Sequence, residues 1–393
     1  MSFKLNEKQK QAVLFALEWY YCKSYDKPLF ILSGVAGSGK TTTINSIVTA
    51  LGLLKENILF CALTGKASSI HRMKGLVSNT IHKSFYNAKP YKGNVYFTKK
   101  TAIPSFIKLI VIDEFSMISN SMIEDILSFN IPVIGIGDFF QLPPIFEKND
   151  YLTEKTSDIF LDEVMRTDDT TGVLTLAMKS RNKINLIPGI YKNSRVIDNI
   201  DDLKELIKYD KIITWTNKTK KYLNKHIREK LGITEKYPIK NEKLIFLANR
   251  YDKSINYIGI DINIMNGIEC IVLEDYEIIN DNQIRLKLRP IFMNDSDEYF
   301  DILCNRKIFD SYEEYLPDTK ILMLEDREND YDSVFCDFSY AITCQSSQGS
   351  EWSNVLVIDE MPRYRSEYFQ WMYTAITRAI KSVDIILNQQ TKY

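Results

Sequence analysis

Long apolar runs are missing from this sequence of 393 residues, which limits where the protein is expected to act. No segment approaches the roughly 18 consecutive apolar residues that a membrane-spanning helix needs. Residues 1–6 also lack the pattern of a signal peptide. The sequence therefore predicts a cytoplasmic protein with no membrane partner.

Clusters of metal-binding side chains are missing too. The sequence has three histidines and six cysteines, with no Cys-x-x-Cys pair and no histidine that clusters with a cysteine. A structural zinc site needs such a cluster and is therefore not expected. The cysteines are instead predicted to be free, buried thiols: Cys22, Cys61, Cys270, Cys304, Cys336 and Cys344.

An excess of positive charge is the third absence. The 50 lysines and arginines are balanced by 51 acidic residues, so the formal net charge is −1. Binding to a polyanion would therefore need a local basic groove. Residues 83–100 mix lysines with aromatic side chains, and residues 218–230 are dense in basic ones. Both segments suit a single nucleic-acid strand, but both also suit a solvated surface.

A glycine-rich motif, Gly-Val-Ala-Gly-Ser-Gly-Lys-Thr, follows an apolar run at residues 29–32 and precedes a helical pattern. This order is typical of a P-loop, whose backbone N–H groups bind the phosphates of a nucleoside triphosphate. Lys40 is predicted to contact the β- and γ-phosphates, and the Thr41 hydroxyl to bind Mg²⁺. A glycine turn that matches by chance is the alternative. The predicted cradle consists of Gly34, Ala36, Gly37, Ser38, Gly39, Lys40, Thr41 and Thr42.

Short β-branched runs alternate with helical patterns, which predicts an α/β fold with parallel sheets. Strands are expected at 58–63, 107–112, 133–137, 211–215, 354–358 and 382–387, and helices at 42–51, 66–73, 121–129, 172–181, 218–230 and 367–380. A hairpin-like excursion at about 83–104 and a β-rich stretch at about 233–332 interrupt this alternation. The prediction is two α/β domains, 1–166 and 167–393, each with one insertion.

Two acidic residues, Asp113 and Glu114, follow a buried strand pattern downstream of the P-loop. At the carboxyl end of a strand in this topology they would lie beside the bound phosphates. Asp113 is predicted to bind Mg²⁺ together with Thr41. Glu114 is predicted to accept a proton from the attacking water.

The next predicted strand ends in Gly-Asp-Phe-Phe-Gln-Leu-Pro-Pro, residues 137–144. Its Gln141 has an uncharged, hydrogen-bonding side chain, which suits it to sense the γ-phosphate. This motif resembles the RecD-like, B subgroup of superfamily-one helicases, and further motifs follow in the subgroup's order from Gln9 to Arg378. The resemblance implies two RecA-like P-loop NTPase domains. It also implies ATP and Mg²⁺ as cofactors, with hydrolysis between the two domains.

The resemblance assigns roles to single residues. Gln9 would read adenine, Glu351 would belong to the nucleotide site, and Arg166 and Arg378 would act on the γ-phosphate, Arg378 as an arginine finger. Motif residues and the basic aromatic segment together predict DNA contacts at Thr64, Lys66, His82, Phe85, Thr216, Asn217 and Ser347.

Two features bear on how DNA would be handled. Gln345 and Ser346 stand where the subgroup usually has His and Lys, and the loss of the Lys is expected to remove one phosphate contact. Residues 94–97 fall where T-even phage members carry a strand-separating pin, with Pro90 upstream and Phe97 placed to stack on the duplex end. The alternative is that Phe97 is a core residue of the hairpin. The β-rich stretch resembles the subgroup's SH3-like accessory domain.

The expected function is therefore that of an ATP-dependent 5′-to-3′ DNA helicase, with the direction implied by the resemblance alone. Expected partners are single-stranded and forked duplex DNA, with single-strand-binding or replisome proteins. The expected state is a monomer, in the host cytoplasm if a phage encodes it. A translocase that strips proteins from DNA and a nucleotide-gated replisome adaptor remain open as alternatives. The Arg378 motif and the second α/β domain argue against a nucleotide kinase.

Overall fold

A computed structural model describes residues 5–63, 65–73, 76–91, 94–144, 147–165, 171–198, 203–257, 259–293, 296–312 and 333–387, with the backbone alone at 70, 88–91, 94–95, 203–205 and 251. Within these ranges no helix combines the length and apolarity needed to cross a membrane. The chain forms two compact units. One consists of Met1–Lys89 and Tyr96–Asp169, and the other of Pro90–Val95 and Thr170–Tyr393.

Six strands of the first unit form a parallel sheet. They are β1 (Leu29–Gly34), β2 (Ile58–Ala62), β3 (Ser78–Thr80), β6 (Leu109–Asp113), β7 (Val133–Gly137) and β8 (Ile159–Leu161), while β4 (Tyr86–Tyr91) and β5 (Asn94–Lys99) form a separate two-stranded sheet. The order in the large sheet is β3-β2-β6-β7-β1-β8, and every pair is parallel. The carboxyl ends of these strands therefore meet at one edge.

Helices cover both faces of this sheet. They are α1 (Glu7–Glu18), α2 (Lys40–Leu51), α3 (Gly65–Met73), α4 (Ile81–Phe85) and α5 (Asn120–Leu127), with one-turn 3₁₀ helices at Lys55–Asn57 and Phe115–Met117 and a π-helical turn at Trp19–Lys23. Because successive strand residues point to opposite faces, Phe30 packs with Trp19 and Ile47 on one side. Ile31 packs with Phe85 and other residues on the other side.

The second unit contains another six-stranded sheet, formed by β9 (Gly189–Tyr191), β10 (Ser194–Ile197), β11 (Lys211–Thr214), β20 (Ala341–Thr343), β21 (Trp352–Asp359) and β22 (Ala379–Leu387). Its order is β20-β11-β21-β22-β10-β9. Only the β9–β10 pair among the described pairs is antiparallel. The helices are α6 (Gly172–Arg181), α7 (Asn217–Lys230), α9 (Cys344–Ser347) and α10 (Tyr368–Ile376), with a 3₁₀ helix at Leu203–Lys208.

A β-rich part lies between β11 and β20 in the chain. Its strands are β12 (Lys243–Phe246), β13 (Arg250–Tyr257), β14 (Ile260–Ile264), β15 (Glu269–Val272), β16 (Glu277–Ile278), β17 (Gln283–Pro290), β18 (Phe300–Asn305) and β19 (Cys336–Phe338), with a 3₁₀ helix at Ile291–Met293 and the short helix α8 (Lys307–Asp310). The main sheet runs β16-β17-β15-β12-β19, with β18 paired to β17 and β13–β14 separate. Its last strand, β19, lies beyond residue 332.

Buried ion pairs attach the β-rich sheet to the α/β part of the second unit. Lys211 on β11 pairs with Glu269, and Lys220 on α7 lies 2.6 Å from Asp337. In each pair the lysine belongs to the α/β part and the acid to the β-rich sheet. Removing either partner would leave a buried charge uncompensated, so these contacts favour one fixed attachment.

One helix is shorter than predicted. The pattern predicted a helix over 367–380, but α10 ends at Ile376 and the chain enters β22 at Ala379. The Trp352 N–H donates to the Arg378 carbonyl at 2.9 Å, which begins the pairing of β21 with β22. Apolar residues after 378 suit a buried strand as well as a helix, and this pairing decides between them.

The cysteine prediction is right for five of the six thiols. Cys61, Cys270, Cys304, Cys336 and Cys344 are free and buried. The prediction is wrong for Cys22, which is free but exposed. It lies in the π-helical turn that extends α1, where the buried position is taken by Trp19.

Candidate functional site

The P-loop connects the carboxyl end of β1 to the start of α2. Gly37 and Gly39 have φ angles of 78° and 77°, a left-handed conformation that favours glycine. The Lys40 ammonium donates to the carbonyl oxygens of Gly34 at 2.9 Å and Val35 at 3.0 Å. Its charge is therefore held against the loop that is predicted to bind phosphate.

Two glycines let the loop approach its neighbours closely. A Cβ atom on Gly34 would lie 2.6 Å from Ser38 Oγ and 2.9 Å from Leu161 Cβ. A Cβ atom on Gly39 would lie 2.5 Å from Gln9 Nε2. Since Cβ contacts below 3.0 Å essentially do not occur, a larger residue at either position would displace these neighbours.

Gln9 is buried, and about half of the hydrogen-bonding capacity of its side-chain amide is taken up within the protein. Its Nε2 donates to Ser38 O at 3.2 Å, and its Oε1 accepts from the Asn6 N–H at 3.0 Å. An amide has two donors and two lone pairs, so within the described residues one donor and one acceptor site remain. That pair complements adenine, which offers an acceptor at N7 and a donor at N6.

The segment 161–165 packs along the P-loop. The Val35 N–H donates to Leu161 O at 3.0 Å, and the Met165 N–H to Gly37 O at 2.9 Å. The Asn6 amide donates to Glu163 Oε2 at 2.7 Å, which ties the start of α1 to this segment. Arg166, the residue predicted to act on the γ-phosphate, lies outside the described residues.

The predicted acidic pair ends β6. The Asp113 carboxylate accepts from the Glu114 N–H at 2.9 Å through Oδ1, and its Oδ2 lies 3.1 Å from His71 Nε2. Burial alone would raise the pKa of Asp113. The contacts with His71 and the Glu114 N–H, with the charge of Lys40 nearby, lower that pKa below its ordinary value. Asp113 is therefore held as a carboxylate.

Glu114 adopts a left-handed backbone conformation with φ of 53°, which is uncommon for a residue with a side chain. The conformation begins the 3₁₀ turn Phe115–Met117, where the Met117 N–H donates to Glu114 O at 3.0 Å. Such strained positions cluster at functional sites, which agrees with the role predicted for Glu114.

Gln141 follows β7, the strand between β6 and β1. Its N–H donates to Asp138 O at 3.0 Å, and the residue is 6% exposed. The side-chain Oε1 has no hydrogen-bond partner among the described residues. The polar end of Gln141 is therefore buried with unused hydrogen-bonding capacity.

The residues at this edge fit a nucleoside triphosphate with Mg²⁺. Thr41 and Asp113 offer a hydroxyl and a carboxylate, the oxygen ligands that Mg²⁺ prefers. Ser38 Oγ and Gln141 Oε1 are buried without a partner in the described part of the chain. Because buried polar atoms are almost always paired, these two atoms are consistent with a polar ligand.

The DNA-contact candidates of the first unit differ in exposure. Lys66 lies in the first turn of α3, and Thr64 before it is outside the described residues. The His82 ring lies 4.6 Å from the Phe97 ring, which is 46% exposed on β5. Phe85 is fully buried in the core, so the expectation that it contacts DNA is wrong. Pro90 lies in the part of β4 that belongs to the second unit, and at this residue the structure describes only the backbone.

The candidates of the second unit lie at α7 and α9. Thr216 caps α7 by accepting from the Thr219 N–H at 3.1 Å, and Asn217 is the first helical residue. The Glu360 carboxylate accepts from the N–H groups of Trp215 at 2.8 Å and Thr216 at 2.9 Å. The Glu360 carboxylate, from the same unit, therefore already binds the N–H groups at the N-terminal end of α7.

Ser347 and Glu351 flank a turn after α9. Ser347 is fully buried and its Oγ donates to Cys344 O at 2.6 Å. A direct DNA contact by its side chain is therefore not available in this conformation. Glu351, the predicted nucleotide-site residue, is exposed.

Arg378 is 3% exposed and bonded within its own unit. Its guanidinium donates to Thr374 O at 3.0 Å, to Ser350 O at 3.3 Å and to Thr377 Oγ1 at 3.2 Å. In this conformation the predicted arginine finger is therefore folded into the turn that ends α10.

Sequence reasoning missed two residues at these sites, His71 and Glu360. For His71 the sequence carries no signal, because it lies 42 positions from Asp113 in the chain. For Glu360 a signal exists: residues 357–360 repeat the Val-Ile-Asp-Glu of residues 111–114. The second copy also ends a strand, but its acid caps a helix.

Two family models match the chain. An AAA domain matches residues 21–147, and a UvrD-like helicase C-terminal domain matches residues 338–386. The first match includes the P-loop, the acidic pair and Gln141, and the second includes Arg378. Apart from Pro90–Val95, the first match lies in the first unit, and the second match lies in the second unit.

The curated relatives include several helicases. The ATP-dependent DNA helicase Dda of Enterobacteria phage T4 is 28% identical over 254 residues, 54% of this chain and 55% of Dda. An uncharacterized protein of Acanthamoeba polyphaga mimivirus is 36% identical over 174 residues, 36% of this chain and 35% of that protein. The chain thus spans about half or less of these two. The RecBCD subunit RecD of Buchnera aphidicola subsp. Acyrthosiphon pisum is 24% identical over 470 residues, 92% of this chain and 70% of RecD.

Solved structures share the fold. A Pif1 helicase structure described as unwinding forked double-stranded DNA has a TM-score of 0.56 at 18% identity, covering 97% of this chain and 92% of that one. Pif1 helicase from Bacteroides with ADP-AlF3 and single-stranded DNA has a TM-score of 0.51 at 17% identity, with the same coverages. The predicted α/β fold with two RecA-like domains is confirmed. The chain is a relative of the superfamily-one B helicases, the group that includes Dda, RecD and Pif1.

Proposed function

We propose that this protein is an ATP-dependent DNA helicase that moves 5′ to 3′ along single-stranded DNA and separates duplex. One observation carries the proposal. The P-loop, Gln141 and the Asp113–Glu114 pair follow three adjacent strands, β1, β7 and β6, whose carboxyl ends meet at one edge. This is the place where a doubly wound sheet binds its ligand.

ATP is the proposed nucleotide because of Gln9. The donor and acceptor that remain on its amide match the N7 and N6 groups of adenine. Guanine offers two acceptors, N7 and O6, at the same edge, so GTP would leave the Gln9 acceptor unpaired. Thr41 and Asp113 would hold Mg²⁺, which would offset the negative charge that develops on the phosphates during hydrolysis.

The proposed hydrolysis needs a proton acceptor for the water, a positive charge on the phosphates and hydrogen-bond donors to the γ-phosphate. Glu114 accepts a proton from the attacking water, and Lys40 stabilises charge on the phosphates. Gln141 hydrogen-bonds the γ-phosphate with its buried amide. Arg378 contacts the same phosphate after its guanidinium leaves the Thr374 and Ser350 carbonyls, and Arg166 remains a second proposed contact.

DNA binding is proposed along a track that does not read sequence. Its residues offer positive charge or hydrogen bonds to the phosphate backbone, and base edges are not needed. Neutralised phosphates release counterions, so affinity should fall steeply with salt. The proposed track consists of Thr64, Lys66, His82, Thr216 and Asn217.

Strand separation is proposed to depend on Phe97, whose half-exposed ring is backed by His82 at 4.6 Å and by Tyr86 at 6.5 Å. Phe97→Ala should strongly reduce unwinding of a forked duplex, since a stacking surface is lost. ATP turnover should still rise at least about tenfold with single-stranded DNA, which is about 1.4 kcal/mol of barrier. Both rates are measured on the same preparation.

The matched control is Tyr96→Ala. Tyr96 is 53% exposed and adjacent on β5, so its side chain leaves the strand on the opposite face. The Tyr96→Ala variant should unwind much faster than Phe97→Ala, because it keeps the Phe97 ring with its His82 and Tyr86 neighbours. Wild-type unwinding by Phe97→Ala would contradict the proposed role of Phe97. Negligible unwinding by the wild type itself would favour a translocase, and a wild type without DNA-stimulated turnover would favour a nucleotide-gated adaptor.

A further inference from the structure

His71 contacts the carboxylate that we propose as a Mg²⁺ ligand. Its Nε2 lies 3.1 Å from Asp113 Oδ2, while Oδ1 accepts from the Glu114 N–H at 2.9 Å. A carboxylate only accepts hydrogen bonds, so Nε2 must carry the hydrogen. Each oxygen of Asp113 is therefore held by one donor.

The His71 ring is itself held in place by neighbouring elements. Helix α3 carries it, and only 8% of the residue is exposed. Its Nδ1 lies 3.5 Å from Ser78 Oγ on β3, and its centroid lies 6.1 Å from that of Phe60 on β2. These contacts restrict the orientation in which His71 meets Asp113.

We propose that His71 is a positioning residue for the metal: it fixes the Asp113 carboxylate so that a remaining lone pair faces Mg²⁺. Each oxygen of Asp113 has one lone pair left after the two bonds described. Partners that orient a metal ligand typically change metal affinity about 10- to 100-fold when they are lost. The inference rests on the proposed function only for the identity of Asp113 as a ligand.

The test compares His71→Gln with His71→Asn in the full chain. A glutamine can place its amide nitrogen where Nε2 lies, whereas the shorter asparagine places it nearer to Nδ1. Both variants are polar, uncharged and smaller than histidine, so their effects on folding should be similar. The difference between them therefore isolates the hydrogen bond to Asp113.

The measurement is the affinity for Mn²⁺, followed by its electron paramagnetic resonance signal, with ADP bound. His71→Asn should bind Mn²⁺ about 10- to 100-fold more weakly than wild type, and His71→Gln should recover most of that loss. ADP affinity in EDTA and the thermal unfolding midpoint, which report on the site and fold without the metal, should stay close to wild type in both.

Wild-type Mn²⁺ affinity in His71→Asn would overturn the inference. Equal losses in both variants would overturn it too, because they would show packing and not the hydrogen bond. Unwinding does not enter this test. A protein that shows the expected Mn²⁺ pattern but separates no duplex would contradict the proposed helicase function and leave the role of His71 supported.

Discussion

Lys40→Ala is expected to abolish ATP hydrolysis. The ammonium is held against the loop that we propose as the phosphate site, where it donates to the Gly34 and Val35 carbonyls. Its loss removes both the charge that binds the β- and γ-phosphates and the contacts that shape the loop. Steady-state phosphate release, measured with saturating ATP and single-stranded DNA, should fall below detection.

DNA binding should survive the same substitution, since Lys40 is not part of the proposed track. Fluorescence anisotropy of a labelled single strand, without nucleotide, measures this directly. Lys55→Ala is the matched control, because Lys55 is an exposed lysine of the same unit that lies after α2. It should keep both activities. Turnover retained by Lys40→Ala would contradict the assignment of the nucleotide site.

Arg378→Ala is expected to lower ATP turnover about 10³-fold or more, as for other arginine fingers. Nucleotide binding should persist, because the P-loop and Gln9 belong to the first unit. The structure adds a second consequence. The guanidinium hydrogen-bonds the Thr374 carbonyl in α10 and the Ser350 carbonyl between α9 and β21, so its removal should also lower the stability of the second unit.

A lysine substitution separates these two effects. Arg378→Lys keeps a positive charge but loses the planar fork that serves two carbonyls or two phosphate oxygens. It should stay severely impaired in turnover. Thermal unfolding of all variants shows how much of the loss is structural, with Arg285→Ala, an exposed arginine of the β-rich sheet, as the control. A wild-type rate in folded Arg378→Ala would place the finger elsewhere.

Local patterns explain why the α/β framework could be predicted. The P-loop requires glycines at fixed positions beside a buried strand, and the strand that ends at Asp113 is a continuous apolar run. Parallel strands place their carboxyl ends together, so the location of the P-loop, Asp113 and Gln141 at one edge of the sheet follows from topology alone. Such requirements involve residues that are adjacent in the chain, so they can be recognised in a single sequence.

Contacts between distant segments could not be predicted in the same way. Phe85 lies in a segment rich in lysine and aromatic residues, yet the packing of α4 buries its ring completely. Glu360 reaches the first turn of α7 from the end of β21, 144 positions away from Thr216 in the chain. Both outcomes depend on how elements pack in three dimensions, and neither is visible in residue spacing.

The end of α10 shows the same limit at short range. The helical pattern of residues 367–380 predicted that Thr377 to Ile380 continue the helix. In the structure, however, Ala379 pairs with the edge of β21. The pairing of the nine-residue strand Ala379–Leu387 with β21 outweighs one more helical turn. The position of Arg378, between the end of α10 and the start of β22, could therefore be found only in the folded chain.

Unwinding of duplexes with a single-stranded tail tests the central claim most directly. Two substrates share one duplex and differ only in whether the tail is 5′ or 3′. With ATP and Mg²⁺, the protein should separate the 5′-tailed substrate and leave the 3′-tailed one largely intact. Separation of neither substrate by a protein that hydrolyses ATP on single-stranded DNA would contradict the helicase function, and separation of the 3′-tailed substrate alone would contradict the direction.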